Sequence, residues 1–209
     1  MQVEYVNHYG DDNMVASAAR VSFSKRAEEY SAEQNERLIH FLARENHWVP
    51  FSHPQITMRM KAPTSIRTQC FKHKIGFAES EESRRYIRST PRLFIPDTFR
   101  AAPENAKQGS GGTHVDSDYW LGQYTDLADR AIEIYEAMIS ERVAPEQARF
   151  ILPQGVEVEW YWTGSLAAFA RFCKQRLDPH AQLEVRQLAY AVSQHIRPLF
   201  PVSWAALMK

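Results

Sequence analysis

The stretch "FKHKIGFAESEESRRY", residues 71–86, sets Lys72, His73 and Lys74 against Glu79, Glu81 and Glu82, then adds Arg84 and Arg85. Cations at that density serve an anionic or strongly polar partner, or else belong to a solvated charged loop after a helix. Arginine gives the wider signal. Arg67, Arg84, Arg85, Arg88, Arg149, Arg171, Arg176 and Arg186 crowd the segments around three predicted helices, and guanidinium groups meet phosphates and carbonyl-rich heterocycles with planar, forked donors. In "KQRLDPHAQLEVRQLA", Pro179 sits where a helix begins, Asp178 can cap it, and His180, Gln182 and Glu184 occupy its first turns beside Arg176. That corner suits an anion or a base edge, and reads equally well as a capped helix with an exposed polar face.

Other chemistries have weaker support. Cys70 and Cys173 are the only thiols, and both fall on predicted helices among Phe71, Phe169 and Phe172. Free cysteine in such surroundings is more often a small buried apolar residue than a nucleophile. The eight histidines are scattered without an H-E-x-x-H pattern, and His47 and His53 are poorly spaced for a metal, so no metal site is expected. The eight glycines form neither G-x-G-x-x-G nor a P-loop, which leaves phosphates to be met by side chains.

Lys plus Arg number 25 and so do Asp plus Glu, giving a formal net charge of zero. A chain that holds a polyanion by bulk electrostatics would carry an excess, so any basic site is local. No apolar run approaches a membrane span and the polar start "MQVEYVNHYGDDN" lacks a signal profile, so the expectation is a soluble, cytoplasmic protein without a membrane partner.

The elements that must position these groups follow from periodicity. "QVEYV" reads as a strand and "AARVSF", 18–23, as the end of a short helix. Ser31 and Gln34 have capping-box spacing ahead of a helix over about 32–45. "HPQITMRMKAP" alternates Ile56, Met58 and Met60 with polar residues, a half-buried strand stopped by Pro63. A helix over "TSIRTQCFKHK" would place Lys72 and Lys74 at its C-terminal end, where the dipole favours cations. Residues 101–118 read as a long loop or lid, 119–142 as an amphipathic helix, "APEQARFILP" as a short Pro-started helix and "EVEWYWTG" as a strand. Two further helices are predicted over about 165–175 and 179–196. Helices and strands without regular βαβ alternation predict one α+β domain over residues 1–209, with a small, mainly antiparallel, non-Rossmann sheet.

Five blocks in order, "AARVSF", "NHWVPFSH" (46–53), "RTQCFKHK…ESRRY" (67–86), "ARFILP" (148–153) and "RLDPHAQLEVR" (176–186), resemble the flavin-dependent thymidylate synthases over nearly the whole chain. The resemblance implies conversion of dUMP to dTMP with FAD as redox cofactor, NADPH as reductant and 5,10-methylenetetrahydrofolate as carbon donor. It also implies a homotetramer with shared active sites and no cysteine nucleophile. Carried over by position, Gln69, Lys72, Glu81, Ser83, Arg85, Arg149 and Arg176 are similar to the dUMP-binding set, with Arg176 the catalytic cation beside the pyrimidine. Ser22, His47, Lys72, His73, Lys74, Ile75, Ser165, Arg171 and His180 match positions around FAD and folate. Uracil C5 is a poor nucleophile, and a fixed arginine at the carbonyl edge can activate it in place of a thiolate.

The chain departs from the family pattern in three ways. Lys72-His73-Lys74 replaces Arg-His-Arg, so a forked donor becomes a point charge. Eight residues instead of seven separate Lys74 from Ser83, and Arg171 stands where relatives commonly place Asn. A second function class is a nucleotide or single-stranded nucleic-acid binder without catalysis, in which Phe, Tyr and Trp would stack on bases, though the neutral charge weighs against nucleic acid.

Overall fold

A computed structural model describes residues 1–103 and 109–209. Strand β1 (Gln2–Tyr9) leads into helix α1 (Asp12–Arg20), whose N-terminus is capped by Asp11 accepting from the Met14 backbone N–H at 2.9 Å. Helix α2 (Ala32–Arg44) starts as its sequence predicts. Ser31 accepts from the Gln34 N–H at 3.2 Å while the Gln34 side chain accepts from the Ser31 N–H at 2.9 Å.

The polar-apolar alternation of β2 (Gln55–Pro63) resolves into two faces. Ile56, Met58 and Met60 are fully buried, and Pro63 ends the strand. Helix α3 (Thr64–Cys70) follows directly and stops at Cys70, four residues short of the predicted end. Lys72 and Lys74 therefore lie beyond the helix, in a turn that closes at Gly76 with φ +80°. A Cβ at Gly76 would stand 3.0 Å from the Ala168 Cβ and 3.1 Å from the Ser165 Oγ, so close packing as well as a left-handed backbone asks for glycine.

The turn delivers the chain into β3 (Phe77–Glu81), a strand that the charged sequence pattern does not predict. Its reason is long-range. Phe77 stacks on Trp162 with centroids 4.2 Å apart and meets Phe169 edge-on, directly above Gly164, where a Cβ would strike the Phe77 ring. Helix α4 (Ser117–Ser140), the short α5 (Pro145–Ala148) and a 3₁₀ turn lead to β4 (Glu157–Ser165), which buries Val158, Trp160 and Trp162.

The sheet order is β1-β2-β4-β3, and every pairing is antiparallel. Helix α6 (Leu166–Arg176) begins as β4 ends, with Ser165 as its N-cap. Helix α7 (Leu183–Ile196) begins at Leu183, four residues later than Pro179 predicted. Asp178 does not cap it and instead accepts from the His180 N–H inside a separate turn. A last helix that periodicity does not predict, α8 (Pro201–Leu207), has the Val202 and Ser203 N–H groups held by the Asp12 carboxylate of α1. Phe169, Phe172, Leu188, Val192 and Phe200 close one continuous core over the inner face of the sheet, giving a single α+β domain. Among the described residues no helix is long and apolar enough to cross a membrane.

Of the predicted loop, residues 104–108 lie outside the described part, and 117–118 belong to α4. Its base is a zipped pair of segments. The Ala101 N–H donates to the Gly112 carbonyl, the Gly111 N–H to Ala101, and the His114 N–H to Phe99.

Candidate active site

The C-terminal end of α3 is the hub, because successive side chains there reach different neighbours. The turn residue His73 faces the end of α6, while Gln69 meets that end only through its backbone carbonyl, which accepts from Arg176 at 3.5 Å. Arg176 Nε donates to His73 Nε2 at 3.0 Å. His73 is buried and sits edge-on to Phe172, with ring centroids 5.0 Å apart. Burial, then the charges of Arg176 and Arg171, lowers its pKa from 6.5 to about 4, so the ring is neutral and offers a lone pair to the arginine. Gln69 continues the polar chain: its amide donates to Gln182 at 2.6 Å, and Gln182 donates to Glu184 at 2.9 Å. Both Glu184 oxygens accept from one Arg100 nitrogen, at 2.8 and 2.9 Å.

Arg67 faces the other way, toward β3, and pairs with Glu81 at 3.1 Å. This pair lines a cavity of about 510 Å³ together with Glu82, Ser83, Arg84 and Arg149. Burial raises the Glu81 pKa above the usual carboxylate value, opposed by Arg67 and Arg149. The Nε atoms of Arg67 and Arg84 are buried without a hydrogen-bond partner among the described residues, which is costly unless a ligand accepts from them. Arg85 is exposed and lies 3.6 Å from Glu146, and the Arg149 side chain donates to the Glu146 carbonyl.

A second cavity, about 450 Å³, opens on the far side of the turn. Trp48, Ile75, Gly76, Phe77, Ser165, Ala168 and Arg171 line it, and Arg171 donates to the Ile75 carbonyl. The Ser165 hydroxyl is already engaged, accepting from the Ala168 N–H. Lys74 pairs with Glu79 and rests near the Phe71 ring, while Lys72 is exposed and makes no ion pair among the described residues.

The predicted residues thus gather in three places: Gln69, His73 and Arg176; Glu81, Ser83 and Arg149; and Ile75, Ser165 and Arg171. His47 is exposed beside Trp48 and edge-on to Phe41. Ser22, in an exposed 3₁₀ turn, and His180, paired with Asp178 at 2.9 Å, line neither cavity. Arg100 escaped the sequence reading because it precedes a long loop and carries no spacing signal. Both thiols are fully buried, and burial pushes the Cys70 pKa up to about 12 and that of Cys173 higher still.

Residues 4–202 match the family model described as thymidylate synthase complementing protein. The chain belongs to this family, the flavin-dependent thymidylate synthases. It is 32% identical over 204 residues to the flavin-dependent thymidylate synthase of Thermus thermophilus, covering 98% of this chain and 74% of that one. It is likewise 32% identical over 208 residues to the enzyme of that name from Thermosipho africanus, covering 98% and 89%. Among solved structures it resembles the UMP/dUMP methylase PolB from Streptomyces cacaoi bound with 5-Br dUMP, with a TM-score of 0.89, 26% identity and coverage of 98% and 93%. Membership of the flavin-dependent thymidylate synthase family makes the chain an enzyme and a flavoprotein in class.

Proposed function

We propose that the protein methylates C5 of dUMP to give dTMP, with Arg176 as the activating cation. The observation that carries this reading is the fixed, half-buried guanidinium of Arg176, held by neutral His73 next to Gln69. An arginine does not lose its proton in a protein, so it can stabilise negative charge at a uracil carbonyl without titrating. That charge makes C5 nucleophilic. The two thiols are poor alternatives, since a cysteine attacks as the thiolate and burial suppresses it here.

The nucleotide phosphate and sugar fit the cavity that Glu81, Ser83 and Arg149 line, with Arg85 sharing Glu146 with Arg149 and Lys72 an exposed cation. The partnerless Nε atoms of Arg67 and Arg84 favour an anionic or acceptor-rich occupant there.

FAD fits the cleft of Trp48, Ile75, Gly76, Ser165 and Arg171, where Trp48 and Ile75 supply apolar surface for a flat ring and Arg171 offers a cation. When bound, FAD would carry the hydride from NADPH that no side chain can supply. In the net reaction the methylene carbon of methylenetetrahydrofolate bonds to C5 as its bonds to the folate nitrogens break, the C5 proton leaves, one hydride equivalent from NADPH brings the carbon to a methyl group, and tetrahydrofolate, its two nitrogens protonated, and NADP+ are released. His47, Lys74, His180 and Ser22 lie outside this cleft in one protomer, which accords with a homotetramer whose subunits complete one another's sites.

The test is a visible spectrum of the purified protein followed by product analysis. Yellow protein that bleaches anaerobically with NADPH and forms dTMP from dUMP and the folate is expected. Colourless protein that takes up no FAD would end this reading.

A further inference from the structure

Between Glu82 and Asp97 the chain carries Arg84, Arg85, Arg88 and Arg92 and no acidic residue. Residues 83–91 of this stretch form a loop whose neck closes on β4. The Glu82 N–H donates to the Glu159 carbonyl at 2.9 Å, and the Glu157 N–H donates to the Arg92 carbonyl at 2.8 Å. Inside that neck the Tyr86 and Ile87 N–H groups both donate to the Ser83 carbonyl, and Arg84 donates to the Ser89 carbonyl, so the loop is folded on itself in the manner of an Ω-loop. Its arginines divide in two. Arg84 lines the cavity of about 510 Å³ and Arg85 lies against Glu146. Arg88 and Arg92 are exposed, line neither candidate cavity, and make no ion pair or side-chain hydrogen bond among the described residues. Glu136 of α4 accepts from Thr90 and from neither of them.

We infer that Arg88 and Arg92 form a docking surface for the oligo-γ-glutamate tail of the folate co-substrate. This rests on methylenetetrahydrofolate being the carbon donor. Guanidinium groups offer donors only, so the occupant is an anion. A compact anion, such as the 2′-phosphate of NADPH, would draw both groups onto one point in a pocket. These two instead stand apart on an irregular, solvent-exposed stretch. Separated charges suit a flexible chain that bears a carboxylate on each repeat. The same loop gives Ser83 and Arg84 to the cavity proposed for dUMP, and a folate must come to the nucleotide to pass on its carbon. Exposed contacts of this kind are each worth about two- to threefold in affinity and are screened by salt. The tail then adds affinity and leaves the chemistry alone.

The experiment measures KM for methylenetetrahydrofolate with a single glutamate and with a long oligoglutamate tail, using FAD-loaded wild type and the Arg88→Gln/Arg92→Gln variant at saturating dUMP and NADPH. Wild type is expected to show a KM about fivefold lower for the long tail, with kcat the same for both folates. That advantage is expected to vanish in about 0.5 M salt. The variant, altered only at exposed side chains, is expected to keep the wild-type KM for the single-glutamate folate and to lose the advantage. Equal KM values for the two folates in wild type, or an advantage that survives in the variant, overturns the tail site. A variant that instead raises KM for NADPH or for the single-glutamate folate, or that releases a bound single-stranded oligonucleotide, gives the arginines to another anion and overturns it equally. Wild-type protein that forms no dTMP with either folate overturns the functional reading itself, and the tail site with it.

Discussion

Arg176 Nε and His73 Nε2 lie 3.0 Å apart across 103 residues of sequence. Because arginine is only a donor, Nε2 is the acceptor and the ring proton sits on Nδ1. The guanidinium is thereby held at Nε, and one terminal nitrogen makes a long 3.5 Å contact to the Gln69 carbonyl. The first family departure, lysine on both sides of His73, leaves this contact intact.

The pair carries a pH signature. Its histidine has a folded pKa of about 4, lowered by burial and then by Arg176 and Arg171, against 6.5 for a free ring. Above pH 6.5 both folded and unfolded rings are neutral and nothing is lost. Between 6.5 and 4 the unfolded chain binds a proton that the folded one refuses, so stability falls. His73→Gln keeps an acceptor but cannot titrate. Urea midpoints at pH 7 and pH 5 should show wild type losing about 2 kcal/mol more than the variant; parallel losses would contradict a neutral buried ring.

Arg176→Lys keeps the charge but cannot both donate to His73 and present a planar fork to the base. Thymidylate formation should fall roughly 100-fold or more, with the thermal midpoint nearly unchanged. Steady-state rates near wild type would show that a point charge suffices.

The sequence revealed those elements whose cause is local. The Ser31 cap of α2, the alternation and Pro63 stop of β2, and the α6 boundaries depend on residues within a turn or two. β3 was illegible because "FAESE" alternates too little apolar character; its strand state comes from Phe77 packing on Trp162 and from pairing with β4, about 80 residues on. Helix α3 was overrun because 3.6-residue spacing continues through His73, while the chain in fact turns so that His73 can reach Arg176. The site was readable as residue types and family blocks. Its pairings, Arg176 with His73, Arg67 with Glu81 and Arg100 with Glu184, join distant segments and leave no spacing signal.

Gly76→Ala places a side chain on a left-handed backbone and against Ser165 and Ala168. The cost should be about 1–3 kcal/mol in unfolding free energy, and the FAD content of purified protein should fall because the residue lines the proposed flavin cleft. Full flavin occupancy in a destabilised variant would separate the cleft from FAD.

Arg67→Met removes the partner of a half-buried carboxylate. Burial already raises the Glu81 pKa and Arg67 opposes that, so loss of Arg67 raises it further. A group with a raised folded pKa gives stability that is present at low pH and lost as pH rises. The variant should therefore be destabilised by about 1–3 kcal/mol at pH 7 and by less at pH 5. Equal losses at both values, measured by urea unfolding, would deny Glu81 its role.

The most direct measurement compares dTMP formation from dUMP, methylenetetrahydrofolate and NADPH by the Cys70→Ala/Cys173→Ala double variant and by Arg176→Ala, each loaded with FAD. Since both thiols are buried with raised pKa values, the double variant should keep turnover within about threefold of wild type, a small effect of lost packing. Arg176→Ala should lose roughly 100-fold or more. A dead cysteine variant beside an active Arg176→Ala protein would place the activation of uracil on sulfur and contradict a cation-driven reaction.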